Sequence, residues 1–345
     1  MQILAEHSLE SLNTLALPGR CTGFAEVEDE SGLVELIAAS RAEGRPVLPL
    51  GEGSNIVVAG DVDALVVRQA PRPYELLSEE GSIVRLRAYA GSNWHELVRA
   101  TLSAGLRGLE NLALIPGCVG AAPVQNIGAY GVELESLVER VHALDSVTGE
   151  VLELDRAGCE FRYSDSVFKQ ALRDRCVITA VDLQLSKDAA INMSYPAVAH
   201  ELAEAGIDQP TARDVFEAVV AIRRRKLPDP AVEPNAGSFF KNPELPYEQA
   251  AYTRRLFMHM PCYNLPNGRV KVPAAWLIEQ AGWKGVRRGA VGVHPGHALV
   301  MVHYGGGDGR DLLELADAIV ESVEQQFHIR LEMEPRVYGA PHDGI

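Results

Sequence analysis

Several things are missing from this chain of 345 residues, and each absence argues against a class of function. Its five cysteines (Cys21, Cys118, Cys159, Cys176 and Cys262) are odd in number, scattered, and never in C-x-x-C spacing. That pattern argues against a disulfide frame or a zinc site and favours reduced thiols in a cytosol. No apolar run reaches the ~18 residues that a membrane helix needs. The opening MQILAEHSLE has no basic n-region, so no signal peptide is expected and a cytoplasmic location is. Positive charge is scarce: 32 Lys and Arg stand against 47 Asp and Glu, a formal net charge of −15. Nucleic acid and anionic membrane are therefore poor main partners. An anionic ligand would need cations concentrated locally. His294, His297 and His303 form a loose group without an H-E-x-x-H frame, so no metal site is expected. There is no G-x-S-x-G elbow, no internal repeat and no low-complexity segment.

What the chain does have is glycine in two concentrated loops. The first is Gly51-Glu52-Gly53-Ser54-Asn55. The second, from Pro116 to Gly131, reads PGCVGAAPVQNIGAYG and places four glycines and two prolines in 16 residues. Neither loop contains Lys or Arg. Glycine at this density permits positive φ and presents consecutive backbone N–H groups, which can cradle an anion without a cationic side chain. Two such cradles suggest a ligand with an extended phosphorylated spine, such as a dinucleotide cofactor. The first loop taken alone would also serve as a tight hairpin. The second is long, apolar and carries an amide pair, Gln125 and Asn126, with Tyr130 between its last glycines. Long loops in compact domains tend to be functional, although a buried crossover would also fit.

The length suggests two or three domains. Residues 1–70 alternate helix and strand. An amphipathic helix is expected over 31–44, and short strands over 46–50, 56–59 and 64–68. A β-branched run follows the first glycine loop. A doubly wound nucleotide motif would open a helix there instead. Residues 71–210 look α+β with a largely antiparallel sheet: strands over 83–90, 138–144, 151–154 and 177–185, and a helix over 92–104. A boundary near 200–211 opens a third domain over 211–327. There Thr211 and Asp214 suggest a capping arrangement ahead of the stripe Val215, Ala218, Val219 and Ile222. Further helices are expected over 274–281 and 311–327, and a strand over 298–304. The closing stretch, 328–345, holds a strand that packs against the first domain.

Other segments carry chemical groups with two readings each. Asn235 to Pro243 reads NAGSFFKNP. Ser238 there offers a hydroxyl among two aromatics, or is a turn serine beside core phenylalanines. Arg223 to Lys226 is the cationic last turn of a helix, or a diphosphate site. Glu332 and Glu334, at i and i+2, share a face if they lie on a strand. One of them would suit general acid work if buried.

Taken in order, LGEGSN (50–55), GLENLALIPGCVGAAPVQNIGAYGVEL (108–134), KLPDP (226–230), NAGSFFKNP (235–243), AAWLIEQAGWKG (274–285) and the closing LEMEPRVYG resemble the UDP-N-acetylenolpyruvoylglucosamine reductases, also called UDP-N-acetylmuramate dehydrogenases, over nearly the whole chain. The resemblance implies an α+β / α/β, FAD-binding fold of the vanillyl-alcohol-oxidase (para-cresol methylhydroxylase) type. Two FAD-binding subdomains are followed by a C-terminal α+β substrate-binding domain. It implies non-covalent FAD with NADPH as reductant, UDP-N-acetylglucosamine enolpyruvate as substrate, and a monomer. It places Gly51, Gly53, Ser54, Asn55, Pro116, Gly117, Gly120, Ala121, Asn126, Gly128 and Ala129 at the cofactor. It places Tyr130, Tyr195, Lys226, Asn242, Tyr263 and His297 at the substrate, with Tyr195 matching the Tyr loop of the longer form. Ser238 becomes the proton donor and Glu334 the assisting acid. Two departures stand out. Where the family motif is Tyr-Arg-x-Ser, with the Arg steadying the substrate carboxylate, this chain has Ser164, and Arg162 is the expected substitute. His297 stands where relatives often carry Gln. Two alternatives stay open: another flavin oxidoreductase of this fold acting on an alcohol or sugar, and a low-activity flavin- or nucleotide-binding homologue.

Overall fold

The computed structural model describes residues 2–339. Its first sheet runs in the order Leu4–Ser8, Arg20–Val27, Val62–Gln69, Val47–Pro49. The last two pairings are parallel. Helix Glu30–Ala42 covers this sheet. Asp29 caps it by accepting from the Gly32 N–H, and Leu33, Leu36 and Ile37 form its buried face. Each such side chain contributes about 1.5–3 kcal/mol by leaving water. Gly44, at φ +66°, reverses the chain into Val47–Pro49, which delivers the first glycine loop.

The second sheet is antiparallel, in the order Val151–Asp155, Val138–Asp145, Cys176–Ser186, Ile83–Tyr89, Glu75–Glu80. The central Cys176–Ser186 is buried along most of its length, whereas edge strand Val151–Asp155 alternates between half-buried and exposed. Helix Trp94–Ser103 is capped by Asn93, whose side chain accepts from the Glu96 N–H. Trp94 is fully enclosed and donates its indole N–H to the Leu112 carbonyl at 2.9 Å, which satisfies the one polar group such a ring buries.

Helix Ala212–Lys226 starts on the expected capping box, but the expected division at 211 moves. Val215, Phe216, Val219 and Ile222 pack into the core of the second sheet, together with Val198 and Leu202 of helix Pro196–Glu204. An apolar stripe states that a helix must be covered, not by which core. The chain leaves this core after Lys226.

The remaining chain builds a four-stranded sheet ordered Asn235–Ser238, Val300–His303, Val291–Val293, Arg287–Arg288, and a small one ordered Glu244–Pro246, Arg269–Lys271, Tyr263–Asn264. Helix Gly309–Phe327 lies against the former, capped by Asp308 and closed by His328 at φ +57°. A Cβ on Gly309 would sit 2.1 Å from the Val58 carbonyl oxygen, so glycine is required for this close approach. This region and the first sheet therefore share one continuous core. The closing strand is shorter than expected. Only Arg336–Tyr338 is strand, paired in parallel with Ile56–Val58, and residues 340–345 lie outside the described residues.

Candidate active-site cleft

The two glycine loops face each other and are fastened together. The Glu52 carboxylate accepts from the Asn93 amide at 2.6 Å and from the Gly117 N–H at 3.0 Å. The Asn55 amide donates to the Gln125 side-chain oxygen. Gly53 sits at φ +63°, and a Cβ there would meet the Leu12 carbonyl oxygen at 2.1 Å. A Cβ on Gly51 would meet the Cys118 sulfur at 2.5 Å. The backbone is thus held in a shape that side chains cannot enter. Between the loops runs a cleft of about 440 Å³.

Of the expected cofactor residues, Gly51, Gly53, Ser54, Asn55, Pro116, Gly120 and Ala121 line this cleft. Gly117 sits behind it, committed to Glu52. Asn126, Gly128 and Ala129 do not line it. Asn126 is buried at φ +45°; its amide donates to the Arg162 carbonyl at 3.2 Å and its oxygen accepts from the Glu135 N–H at 2.9 Å. Gly128–Ala129 pairs with Val132–Glu133 in a hairpin with Tyr130 at its tip. These three residues shape the loop and do not face the cleft. Apolar walls from Leu50, Trp94, Ile115, Val124, Ile127 and Ile178, set beside a glycine cradle, suit a ligand with a flat ring and a diphosphate.

The other end is made of side chains: Lys169, Lys241, Glu332, Met333 and Glu334. Glu332 and Glu334 both line the cleft but differ in exposure. Residues 331–335 are not regular strand, and only Met333 bridges to Phe240. Glu332 turns to solvent and pairs with Lys241. Glu334 is mostly buried, and burial raises its carboxyl above its ordinary value against the pull of Lys169 and Lys241. Its N–H donates to the Phe239 carbonyl at 2.9 Å, which fixes it next to the strand Asn235–Ser238. Ser238 ends that strand, exposed, and does not line the cleft itself.

Arg162 and Asp165 exchange backbone hydrogen bonds around a turn with Tyr163 and Ser164 at its tip, Ser164 at φ +49°. The Arg162 guanidinium, 70% exposed, points out toward Glu160 at 3.9 Å. Like Ser238, it does not line the cleft. The Ser164 carbonyl instead accepts from Lys169 Nζ at 3.1 Å.

None of the six expected substrate residues lines the cleft; they stand outside it in smaller groups. The rings of Tyr130 and Tyr195 meet edge to face at 5.2 Å. Lys226 lies near His297, whose imidazole is held neutral by burial and then by His294, Lys226 and Lys284. Asn242 donates to the Tyr163 hydroxyl at 3.2 Å and accepts from the Ala274 N–H. Tyr263 is exposed and pairs with Lys271, whose ammonium lies over the Tyr163 ring. The sequence reading missed Glu52 and Lys169 as functional candidates. Glu52 lies inside a motif read for other residues and Lys169 three residues past one, and only the fold reveals what they touch.

Comparison with known proteins agrees with this architecture. Residues 229–338 match the model of the UDP-N-acetylenolpyruvoylglucosamine reductase C-terminal domain, and residues 22–155 that of an FAD binding domain. A protein of Pseudomonas aeruginosa named UDP-N-acetylenolpyruvoylglucosamine reductase is 46% identical over 97% of this chain and 99% of its own length. Proteins with the same name from Pseudomonas fluorescens and Xanthomonas axonopodis are each 45% identical over 98% of this chain, and over 99% and 97% of their own lengths. The crystal structure of the Thermus caldophilus reductase superposes with a TM-score of 0.66 at 23% identity, covering 98% of both chains.

Proposed function

The chain belongs to the UDP-N-acetylenolpyruvoylglucosamine reductase family, and from that premise we propose how its residues divide the work. It is an FAD-dependent oxidoreductase of peptidoglycan precursor synthesis that reduces the enolpyruvyl group of its sugar-nucleotide substrate. The reductant is NADPH, and the enzyme acts as a monomer in the cytoplasm. Among the described residues no helix is long and apolar enough to cross a membrane.

Gly51, Gly53, Ser54, Asn55, Pro116, Gly120 and Ala121 hold the cofactor through backbone and short polar groups. FAD held there would supply the hydride that the β-carbon of the enol ether takes up, with NADPH as the source of the electrons. The chain's own residues then manage charge and protons. Negative charge develops on the α-carbon and its carboxylate. Glu334, kept protonated longer than an ordinary carboxyl by burial, hydrogen-bonds on one side of this group. Ser238 delivers the proton to the α-carbon from its Oγ. A serine hydroxyl is a weak acid, so the surrounding groups must stabilise the enolate. Lys226 and Tyr195 contact the diphosphate, and neutral His297 reads the nucleoside. Asn242 positions Tyr163, and Tyr130 and Tyr263 complete the outer pocket.

The observation that carries this reading is the half-buried carboxyl of Glu334, with its raised pKa, at the junction between the cleft and the Ser238 strand. The decisive experiment is anaerobic. NADPH should bleach the flavin, and UDP-N-acetylglucosamine enolpyruvate should then restore its colour. A reduced flavin that this substrate leaves reduced would overturn the assignment.

A further inference from the structure

We propose that Lys169 is the cation that grips the substrate carboxylate; the inference rests on the function proposed above. Several charged groups line the cleft, and most are already paired. Lys241 pairs with Glu332, and both Arg173 and Arg336 pair with Asp174. Arg68 lies on Val62–Gln69, the strand beneath the first glycine loop, at the cofactor end. Lys169 differs. Among the described residues no carboxylate stands within ion-pair distance of its ammonium, although Glu334, Asp165 and Glu332 are near enough to act on it electrostatically. Lys241 opposes it.

The lysine is also well placed. It ends the single turn Val167–Lys169, which Ser166 caps by accepting from the Phe168 N–H at 3.2 Å. The Ser166 hydroxyl donates in turn to the Val124 carbonyl of the second glycine loop at 2.7 Å. Val167 and Phe168 are buried. The turn is thus fixed to the cofactor cradle. An ammonium has three donors, and the Ser164 carbonyl takes one at 3.1 Å. Two remain for the cleft. Burial and Lys241 both lower the pKa of Lys169. A carboxylate beside the ammonium would offset both effects. The reacting enolpyruvyl group supplies such a carboxylate, and no side chain at position 164 or 162 reaches into the cleft to meet it.

The test compares two ligands on the oxidised, FAD-loaded enzyme by calorimetry. UDP-N-acetylglucosamine enolpyruvate carries the carboxylate, and UDP-N-acetylglucosamine lacks it. Lys169→Gln should weaken the first by roughly tenfold to a hundredfold, the worth of a hydrogen bond to a charged group, and leave the second unchanged. If Lys169→Gln fails to retain flavin, Lys169→Met, which keeps the apolar stem, takes its place. Equal affinity of variant and wild type for the enolpyruvyl ligand would overturn the proposal. So would parallel loss of both ligands, which would mark a structural lysine. A wild-type enzyme whose reduced flavin ignores the enolpyruvyl substrate would overturn the functional reading, and this inference with it.

Discussion

The two ends of the cleft are made from different materials. The glycine end presents backbone, contributed by two short stretches of chain and braced by hydrogen bonds among Glu52, Asn93, Asn55 and Gln125. The opposite end presents ionisable side chains brought from separate parts of the fold: Lys169 from a turn of the second region, Lys241 from the run after Ser238, and Glu334 from the closing segment. The first end gains rigidity from steric exclusion. The second holds charged groups under partial burial, where each responds strongly to its neighbours. A site of the first kind tolerates no added atom. A site of the second kind tolerates substitution structurally but changes its chemistry.

The largest expected effect lies at the backbone end. Gly53→Ala would force a Cβ to within 2.1 Å of the Leu12 carbonyl oxygen at a φ of +63°. Overpacking and backbone strain together should cost about 2–5 kcal/mol. The purified variant should melt lower and lose its flavin, read from the ratio of flavin to protein absorbance. A variant that keeps both its melting temperature and its flavin would refute the idea of a cradle closed by sterics.

Next comes the ionisable end. Glu334→Gln should lower the rate of substrate-driven flavin reoxidation by about 10²–10⁴-fold, the usual worth of a positioned acid, while NADPH-driven bleaching is unchanged. Stability should move the other way. The folded carboxyl has a raised pKa, so its contribution to stability is full below its ordinary value and is lost as pH rises through the folded one. At neutral pH the glutamine variant should therefore be at least as stable as the wild type. Lower activity with lower stability would mean that Glu334 is structural.

A third case shows what full pairing does to a buried charge. Asp182 lies against Arg87, at 2.7 Å, and His142, at 2.8 Å, in the second sheet. Burial opposes its charge, but the Arg87 and His142 hydrogen bonds win and push its pKa down to about 2. The sign is opposite to that of Glu334. Stability from Asp182 is present above the ordinary carboxylate range and lost as pH falls from there toward 2. Asp182→Asn should cost roughly 2–3 kcal/mol at neutral pH, with the deficit shrinking in acid. A pH-independent deficit would point to packing rather than charge.

The same division explains what could be read from the residues alone. The glycine loops were legible because positive φ and close approach are written locally, and the long helix Gly309–Phe327 because its apolar stripe is complete within itself. The side to which Ala212–Lys226 turned was not, since Val215 and Ile222 would suit either core. The resemblance put Asn126 at the cofactor, whereas its left-handed backbone and its bonds to Arg162 and Glu135 make it a brace of the loop. Strand spacing brought Glu332 and Glu334 to one cleft, but only the fold shows that Glu332 pairs with Lys241 while Glu334 sits deeper. Lys169 was invisible as a site because its meaning comes from Ser164, Lys241 and Glu334, which only the folded chain gathers.

The smallest expected effect is also a sharp one. Arg162 is the arginine nearest in sequence to the position where the resemblance calls for that side chain, and on proximity alone it would inherit the role. The turn prevents this. Arg162 and Asp165 bond to each other through both backbone groups, the Arg162 carbonyl is taken by Asn126, and the guanidinium is directed outward past Glu160. At 70% exposure its pairing with Glu160 is worth little, since exposed pairs contribute about 0–1 kcal/mol. Arg162→Ala should therefore leave kcat, KM for the enolpyruvyl substrate and the melting temperature all near wild type. A clear rise in KM in steady-state assays would show that the turn rearranges on binding to swing Arg162 inward, and the ionisable end would then be assembled by the substrate instead of being preset by the fold.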